Sequence, residues 1–529
     1  MDHTHHPNPI PGADIETRYD ELQRSLIPLW EVIGRPGIGG FTEAQNTVVV
    51  VPSLSLDVAF DVSTLRAYEE RFLCLLFLLR QPHVRLIYVT SQAIHPAVVD
   101  YYLGLVPGVS ITNARKRLFL VSPLEASARP LSRKLLDRPR LLEHIRSLIP
   151  DPQHAHIVPF VTSELERELA VRLGIPMYAA DPRFFAFGTK SGGRRLFAEE
   201  GVPHPLGVED LFSENALVDA LAQMRAQKPA IRQVVVKLNE GVSGLGNALL
   251  DLGGLPAPGD ADERAALTER LRHLHFEGEG IDYGGYMASL TRKGGIVEAR
   301  IMGNALDSPS AQLRVTPSGQ VELLSTHDQI LGGPSGESYL GCRFPARAEY
   351  APLIMREAAK VGRRLAREGI IGRFALDFVV VRTERGEWEA YAIEINLRKG
   401  GTTHPFLTLQ WLTDGTYDAK SGRFTTVRGH NKYYVATDHL ESPDYRVFTA
   451  DDLFDIISRH GLHFDHTAQT GIVLHMMSAV SDSGRLGLTA IGDSPEQADA
   501  LYQRVVEALD AEARAALGRS AMDTMTDAL

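Results

Sequence analysis

Residues 373–405 read RFALDFVVVRTERGEWEAYAIEINLRKGGTTHP, and the alternation in this stretch decides more of the fold than any other part of the chain. Two runs with apolar residues at every second position, 373–382 and 389–397, flank a polar turn containing Gly386, the pattern of a β-hairpin. Asp377 interrupts the first run, and Glu394 and Asn396 lie in the second. Strand side chains alternate faces, so Glu394 and Asn396 share one face while Ile393 and Ile395 take the other. With Arg385-Gly386 as a two-residue turn, Glu384 pairs with Glu387, and counting back along both strands sets Asp377 directly opposite Glu394. Like charges at such positions, roughly 4.5–5.5 Å apart, destabilise a sheet. A hard cation between them removes the repulsion: Mg²⁺ takes oxygen ligands, keeps several waters and bridges to phosphates. The plain alternative is a solvated hairpin face whose acids never meet.

The neighbouring residues favour the cation. Arg373 opens the first strand, Arg398 and Lys399 follow Asn396, and the hydroxyl-rich turn GGTTHP (400–405) closes the second. Carboxylates that hold a metal beside guanidinium groups are what a metal–polyphosphate requires. In these residues the chain resembles the ATP-grasp enzymes, whose second lobe carries an Asp strand and a Glu-x-Asn strand that hold two Mg²⁺ ions. The wording EINLRKGGTTHP more narrowly resembles the peptide ligases of the pheganomycin type, amide-forming members of that superfamily. The resemblance implies ATP and Mg²⁺ as cofactors, two ions, with Mn²⁺ as an option. It implies Asp377, Glu394 and Asn396 as metal ligands, and Arg398 with Arg373 as catalytic groups that stabilise the reacting phosphate and the oxyanion.

The same resemblance locates the nucleotide. Lys190 follows Gly188-Thr189 and opens a helix that stops at Gly201-Val202-Pro203; a lysine in this setting reaches the phosphates. Arg194 and Arg195 on that helix read as surface charges. The strand QVVVKL (233–238) carries Lys237 near its end and runs into NEGVSGLGN (239–247). Glycine-rich loops let backbone N–H groups approach phosphate oxygens closely. This one lacks the Gly-Lys-Ser/Thr of a P-loop and the G-x-G-x-x-G of a dinucleotide fold. Joined to Lys237 it matches a phosphate-covering lid with Gly241, Gly244 and Gly246. GIVEARIM (295–302) is then the hinge strand, marked by Glu298, where backbone groups read adenine. Asp307 is either a ribose ligand or a turn acid. Residues 325–346 either line the acceptor pocket or form a surface loop.

Length and composition set the frame. A chain of 529 residues exceeds a single core and should hold several domains. Hydrophobic residues at 44% and charged residues at 23% are ordinary for a soluble globular protein. The net charge of −11, with no basic stripe, argues against nucleic acid as a partner. The longest apolar run, residues 72–79, is far short of the ~20 residues that cross a bilayer. The N-terminus MDHTHHPNPIPG has neither a basic n-region nor an apolar h-region, so the chain reads as cytoplasmic. Two cysteines, Cys74 and Cys342, give no disulfide framework.

The expected fold class is α/β and α+β multidomain. Residues 1–180 alternate strands (48–51, 85–90, 156–161, 175–178) with helices (65–79, 131–148, 164–173), the pattern of a doubly wound parallel sheet. Such a domain commonly precedes the ATP-grasp unit in that superfamily. The two-lobed ATP-grasp domain follows at 181–428, with lobes at about 181–295 and 296–428. A small α+β covering domain occupies 429–529, with a hairpin of 471–479 and 485–492 and a helix capped by Ser494 before Pro495. His475 there reads as a packed histidine, with a substrate-facing role as the alternative.

The expected activity is an ATP-dependent ligase joining a carboxylate, of an amino acid or modified amino acid, to an amine of an amino acid or peptide through an acyl phosphate. The alternatives are an ATP-grasp phosphotransferase, a carboxylate–thiol ligase and a catalytically silent ATP-binding scaffold. Partners are then small molecules, with no nucleic acid and no membrane. The residues leave the oligomeric state open, a homodimer being one option.

Overall fold

A run such as NTVVVV, apolar or β-branched at nearly every position, suits a strand covered on both faces. In the computed structural model, which describes residues 12–33, 45–56, 60–241, 246–277, 280–303, 305–332, 336 and 338–526, this run is the strand Asn46–Val51, buried throughout. It pairs in parallel with Val84–Val89 on one side and Ala155–Pro159 on the other, and Leu118–Val121 extends the sheet beyond Val84–Val89. Met177 adds a parallel bridge at Ile157. The helix Glu164–Leu173 starts in a capping box between Ser163 and Glu166 and ends at Gly174, at φ +71°.

Two expected helices are broken. Residues 65–79 divide into an α-helix, Val62–Arg71, and a 3₁₀ helix, Phe72–Arg80. FLCLLFLL is apolar on every side, so it carries no 3.6-residue stripe to favour the α form. Residues 131–148 divide into Leu131–Leu136 and Pro139–Ser147, because Pro139 lacks an N–H and bars the residue before it from the α region.

The chain forms two compact units, 1–56 with 60–182, and 57–59 with 183–529. Among the described residues the second contains two large antiparallel sheets and a two-stranded one, Thr416–Asp418 with Arg423–Thr425. In the smaller of the large sheets, the spatial order is Gly207–Leu211, Gly295–Ala299, Gln233–Leu238, Asn247–Asp251 and His275–Phe276. Its core includes Leu217, Leu221 and Met224 of the helix Glu214–Gln227.

The nine-stranded sheet begins with Trp388–Asn396 beside Gly372–Arg382. Leu306–Asp307 and Pro309–Val315 both pair with Gly372–Arg382, and the order continues through Val321–Gly332, Ser338–Phe344, Tyr433–Glu441, Arg485–Gly492 and Gly471–His475. Residues 325–332 and 338–344 are therefore interior strands, not a surface loop. The helix Ala351–Arg367 buries Ile354, Met355, Ala358, Val361 and Leu365 as one stripe. Gly362 in that stripe lies against Leu313, Val321 and Phe374. Phe374, Leu376 and Phe378 thus face this helix, and Arg373, Ala375 and Asp377 face the other way.

The expected break at residue 429 is not a break in the sheet: Tyr433–Glu441 pairs with Ser338–Phe344, from Gly341 opposite Thr437 to Phe344 opposite Tyr434. A Cβ at Gly341 would lie 2.3 Å from the Ala436 carbonyl oxygen, so only glycine permits this approach. The expected terminal hairpin forms from Gly471–His475 and Arg485–Gly492. Ser494 Oγ accepts from the Gln497 N–H at the start of the helix Pro495–Thr526. No described helix is long and apolar enough to cross a membrane.

Candidate functional site

The Gly372–Arg382 and Trp388–Asn396 hairpin reaches the expected pairing by a different route. Its turn is longer than the expected two residues. Thr383 donates its N–H to the Glu387 carbonyl, and Gly386, at φ +82°, donates to the Thr383 carbonyl. This is a three-residue loop with glycine in the left-handed position. Arg382 then pairs with Trp388, one residue out of the expected register, as far as Phe378 opposite Ala392. A β-bulge follows, with Ile393 as the extra residue, and it restores Asp377 opposite Glu394. Burial records the phase change: Ala390 and Ala392 face the core before it, Ile395 after it. Without the bulge, Glu394 would share the core face of Ala392. With it, Glu394 and Asn396 join Asp377.

The pair is closely surrounded. Asp377 accepts from Gln329 Nε2 at 2.9 Å on Oδ1 and from Asn396 Nδ2 at 2.9 Å on Oδ2. Arg398 Nη1 donates to Asn396 Oδ1. Burial, and then the Glu394 charge opposite, push the Asp377 carboxyl up to about 6, against a hydrogen bond from Ser310 and the charges of Lys190 and Arg398. Glu394 moves down. Although burial opposes it, the charge and hydrogen bond of Lys190 prevail, helped by Arg398 and Lys237.

Lys190 forms an ion pair with Glu394. Its helix, Lys190–Glu199, is capped by Thr189 Oγ1, which accepts from the Gly192 N–H. A Cβ at Gly192 would lie 1.8 Å from the Ala186 carbonyl oxygen, so the turn before the helix seats on this glycine. Asn239 joins the helix start to the Gln233–Leu238 strand. Its Oδ1 accepts from the N–H and the hydroxyl of Ser191, and its carbonyl accepts from the Lys190 N–H. Lys237 Nζ lies 2.5 Å from Glu298 Oε1.

Gly246, at φ +99°, closes the loop after this strand, and its carbonyl accepts from the Leu238 N–H and the Tyr286 hydroxyl. Gly241 lies in that loop without regular structure. Gly244 falls outside the described residues.

Arg194 departs from the surface reading. It is buried, and it binds Glu209 at 2.6 Å and Glu298 at 3.1 Å. Arg195 does behave as a surface charge, paired with Asp210. Glu298 is thus shared between Lys237 and Arg194. Asp307 lies on the nine-stranded sheet, 3.4 Å from Arg347 and close enough to Asp328 to help raise its carboxyl to about 6, after burial. Arg373 sits on the Asp377 face, beside Lys399, which is buried. Burial and then the Arg373 charge push the Lys399 ammonium down to about 7.

Gln329, Ser310, Asn239 and Lys399 complete this surround. Of these, Lys399 adjoins the motif, whereas Gln329 and Ser310 approach Asp377 only through strand pairing, which no local pattern reveals. The segment expected to line an acceptor pocket holds buried Ser325, Thr326 and His327, with His327 Nε2 2.8 Å from the Tyr434 hydroxyl.

Comparison with known proteins identifies the family. A family described as "IQCH-like, ATP-grasp" matches residues 184–273 and 280–420, and "PGM1 C-terminal domain" matches residues 452–505. The chain is 33% identical to the L-propargylglycine–L-glutamate ligase of Streptantibioticus cattleyicolor over 507 residues, 94% of this chain and 98% of that protein. It is 25% identical to the IQ motif-containing protein H of Danio rerio, over 88% of this chain and 48% of that one. The biotin carboxylase–β,γ-ATP complex of Campylobacter jejuni shares the fold at TM-score 0.52 and 12% identity, over 86% of this chain and 90% of that one. The chain belongs to the ATP-grasp carboxylate–amine ligases, among the peptide ligases of the pheganomycin type.

Proposed function

We propose that the enzyme joins the carboxylate of an amino acid or modified amino acid to the amine of an amino acid or peptide, consuming ATP through an acyl phosphate. The observation that carries this reading is the Lys190–Glu394 ion pair beside the Asp377–Glu394 register. It sets a phosphate-seeking ammonium at the start of a helix against an acidic pair on the hairpin. The related ligase from Streptantibioticus cattleyicolor is named for two amino acids, which supports amino acids as both substrates here.

The donor set fits a hard cation. Two carboxylates and an amide oxygen lie on one sheet face, and the raised Asp377 carboxyl marks a place where negative charge lacks sufficient compensation. Asp377, Glu394 and Asn396 would hold two Mg²⁺ ions, which would neutralise phosphate charge. Lys190 then exchanges the Glu394 carboxylate for a phosphate oxygen. Lys237 turns from Glu298 to the phosphates, and Arg194 keeps Glu298 paired. Gly241, Gly244 and Gly246 belong to the lid over them.

A carboxylate oxygen of the acid attacks the γ-phosphorus and ADP departs. The amine then attacks the carbonyl carbon and gives up a proton, and phosphate leaves. Phosphoryl transfer of this kind rests on positioning and charge neutralisation. Arg398, with Arg373 on the same strand face, stabilises the acyl phosphate and the oxyanion; a guanidinium does this through a fork that an ammonium lacks.

A screen of amino-acid pairs, read by phosphate release and product mass, tests the substrate class, and turnover should require both acid and amine. Oxygen-18 placed in the acid's carboxylate should appear in the released phosphate. Amide product formed without that transfer excludes the acyl phosphate in favour of adenylation. Asp377→Asn and Glu394→Gln should each abolish turnover, and wild-type rates in either variant would remove the metal assignment.

A further inference from the structure

His404, Asp438 and His475 come from three separate elements: the helix Thr403–Thr413, the strand Tyr433–Glu441 and the strand Gly471–His475. All three are buried, and one ligand atom of each converges on a common point. The two Nε2 atoms lie 3.0 Å apart, and Asp438 Oδ1 lies 2.8 Å from His475 Nε2 and 3.3 Å from His404 Nε2. We propose that these three side chains form a binding site for a divalent transition cation of the zinc class, which fastens the helix behind the Arg398 loop to the C-terminal strands.

Proton bookkeeping favours a cation over a closed hydrogen-bond triad. With the carboxylate ionised, consider where the two Nε2 protons can be. If both imidazoles carry one, two N–H groups face each other at 3.0 Å. If only His404 carries one, the His475 lone pair faces the carboxylate oxygen at 2.8 Å. If only His475 carries one, the His404 lone pair faces that oxygen at 3.3 Å. Every arrangement leaves at least one contact between like poles. A cation accepting all three lone pairs removes the conflict.

Size and donor type agree. Zinc takes imidazole nitrogen and carboxylate oxygen at about 2.0–2.2 Å, so tetrahedral ligands stand roughly 3.3–3.5 Å apart. The three observed separations need to open by about 0.7 Å at most. Imidazole donors suit zinc-class ions, whereas Mg²⁺ prefers oxygen. Three protein ligands leave a fourth position for water.

The backbone is also arranged for this convergence. In the sheet, Arg485–Gly492 lies between the strands that carry Asp438 and His475, so an ordinary side chain would separate them. The residue opposite His475 is Gly487. A Cβ there would lie 2.1 Å from His475 Nε2, so the imidazole reaches Asp438 by crossing over a glycine. Met476, next in the chain, is held at φ +58°, a conformation that an unbranched residue adopts only at a cost.

The test uses the full-length protein without an affinity tag, from zinc-replete medium, after dialysis against a weak chelator. About one equivalent of zinc per chain should remain. The stripped protein should melt at a lower temperature and recover with zinc. Titrated with Co²⁺, it should develop visible ligand-field bands at one equivalent. The triple variant His3→Ala, His5→Ala, His6→Ala, which removes the N-terminal histidines, should keep both signals. His475→Asn and Gly487→Ala should lose both, with far-ultraviolet circular dichroism checking that each is folded. Bands that vanish with the N-terminal histidines, or that persist in folded His475→Asn, overturn the proposal. So does a native protein that retains no transition metal and shows no Co²⁺ bands, whatever the variants do.

Discussion

Arg398 and Lys399 are adjacent cations in different environments, and each yields a separate prediction. Arg398 holds the Asn396 amide oxygen from a position on the face of the acidic pair. Arg398→Lys keeps the charge and loses the fork, so ATP binding should stay largely intact while amide formation slows by about 10²–10³-fold. Single-turnover kinetics with pre-bound ATP separates the two effects. Lys399 is buried beside Arg373 and held near 7, below its ordinary 10.5. Between those values the unfolded chain binds the proton and the folded chain releases it, so stability rises with pH across that window and falls as pH drops towards 7. Lys399→Met removes this dependence. The variant should exceed the wild type by at most about 4 kcal/mol near pH 7, with the gap closing towards pH 10.5, as read from denaturant midpoints. A gap independent of pH would mean that the ammonium is not strained by burial.

Among elements, the hairpin register decides which face Glu394 takes. Deleting Ile393 removes the extra residue of the bulge, so Glu394 follows Ala392 directly and stays opposite Asp377. That deletion should therefore retain ATP turnover. Deleting Ala392 and Ile393 together sets Glu394 in the place of Ala392, on the face occupied by Leu376 and Ala390. A carboxylate there would be buried without a partner, which is costly. The double deletion should abolish turnover and lower the melting temperature, and turnover that survives it would show that Glu394 need not face Asp377. The 239–246 loop illustrates a second kind of element-level dependence. Its glycines are visible in the sequence, but its base is closed by Tyr286, forty residues further on.

At the scale of the whole molecule, the nine-stranded sheet sets the smallest piece that should fold. A fragment of residues 183–529 keeps every described sheet of its compact unit. A fragment of residues 183–428 ends before Tyr433–Glu441, which exposes the edge of Ser338–Phe344 and removes Tyr434 from its stack on Phe344 at 4.8 Å. Unpaired strand edges template aggregation. The longer fragment should elute as a discrete species with a cooperative melt, and the shorter one should aggregate. A monodisperse, cooperatively melting 183–428 fragment would show that the last hundred residues form an independent covering domain.

Local pattern alone determined that residues 373–397 form a hairpin, that Lys190 opens a helix and that Lys237 ends a strand, because periodicity, caps and turn glycines act over a few residues. It also predicted Asp377 opposite Glu394, though from a two-residue turn that does not form; the longer turn and the bulge cancel. Tertiary structure decided the rest. Arg194 looked like a surface charge because nothing within its own helix reveals that Glu298, on a strand about a hundred residues away, will meet it. Gln329 reached Asp377, and residues 325–332 and 338–344 became interior strands, through pairing between distant segments. His404, Asp438 and His475 met only after a strand carrying a glycine came to lie between two of them. Contacts of that kind depend on which strands lie side by side, and the spacing of residues along one strand does not encode its neighbours.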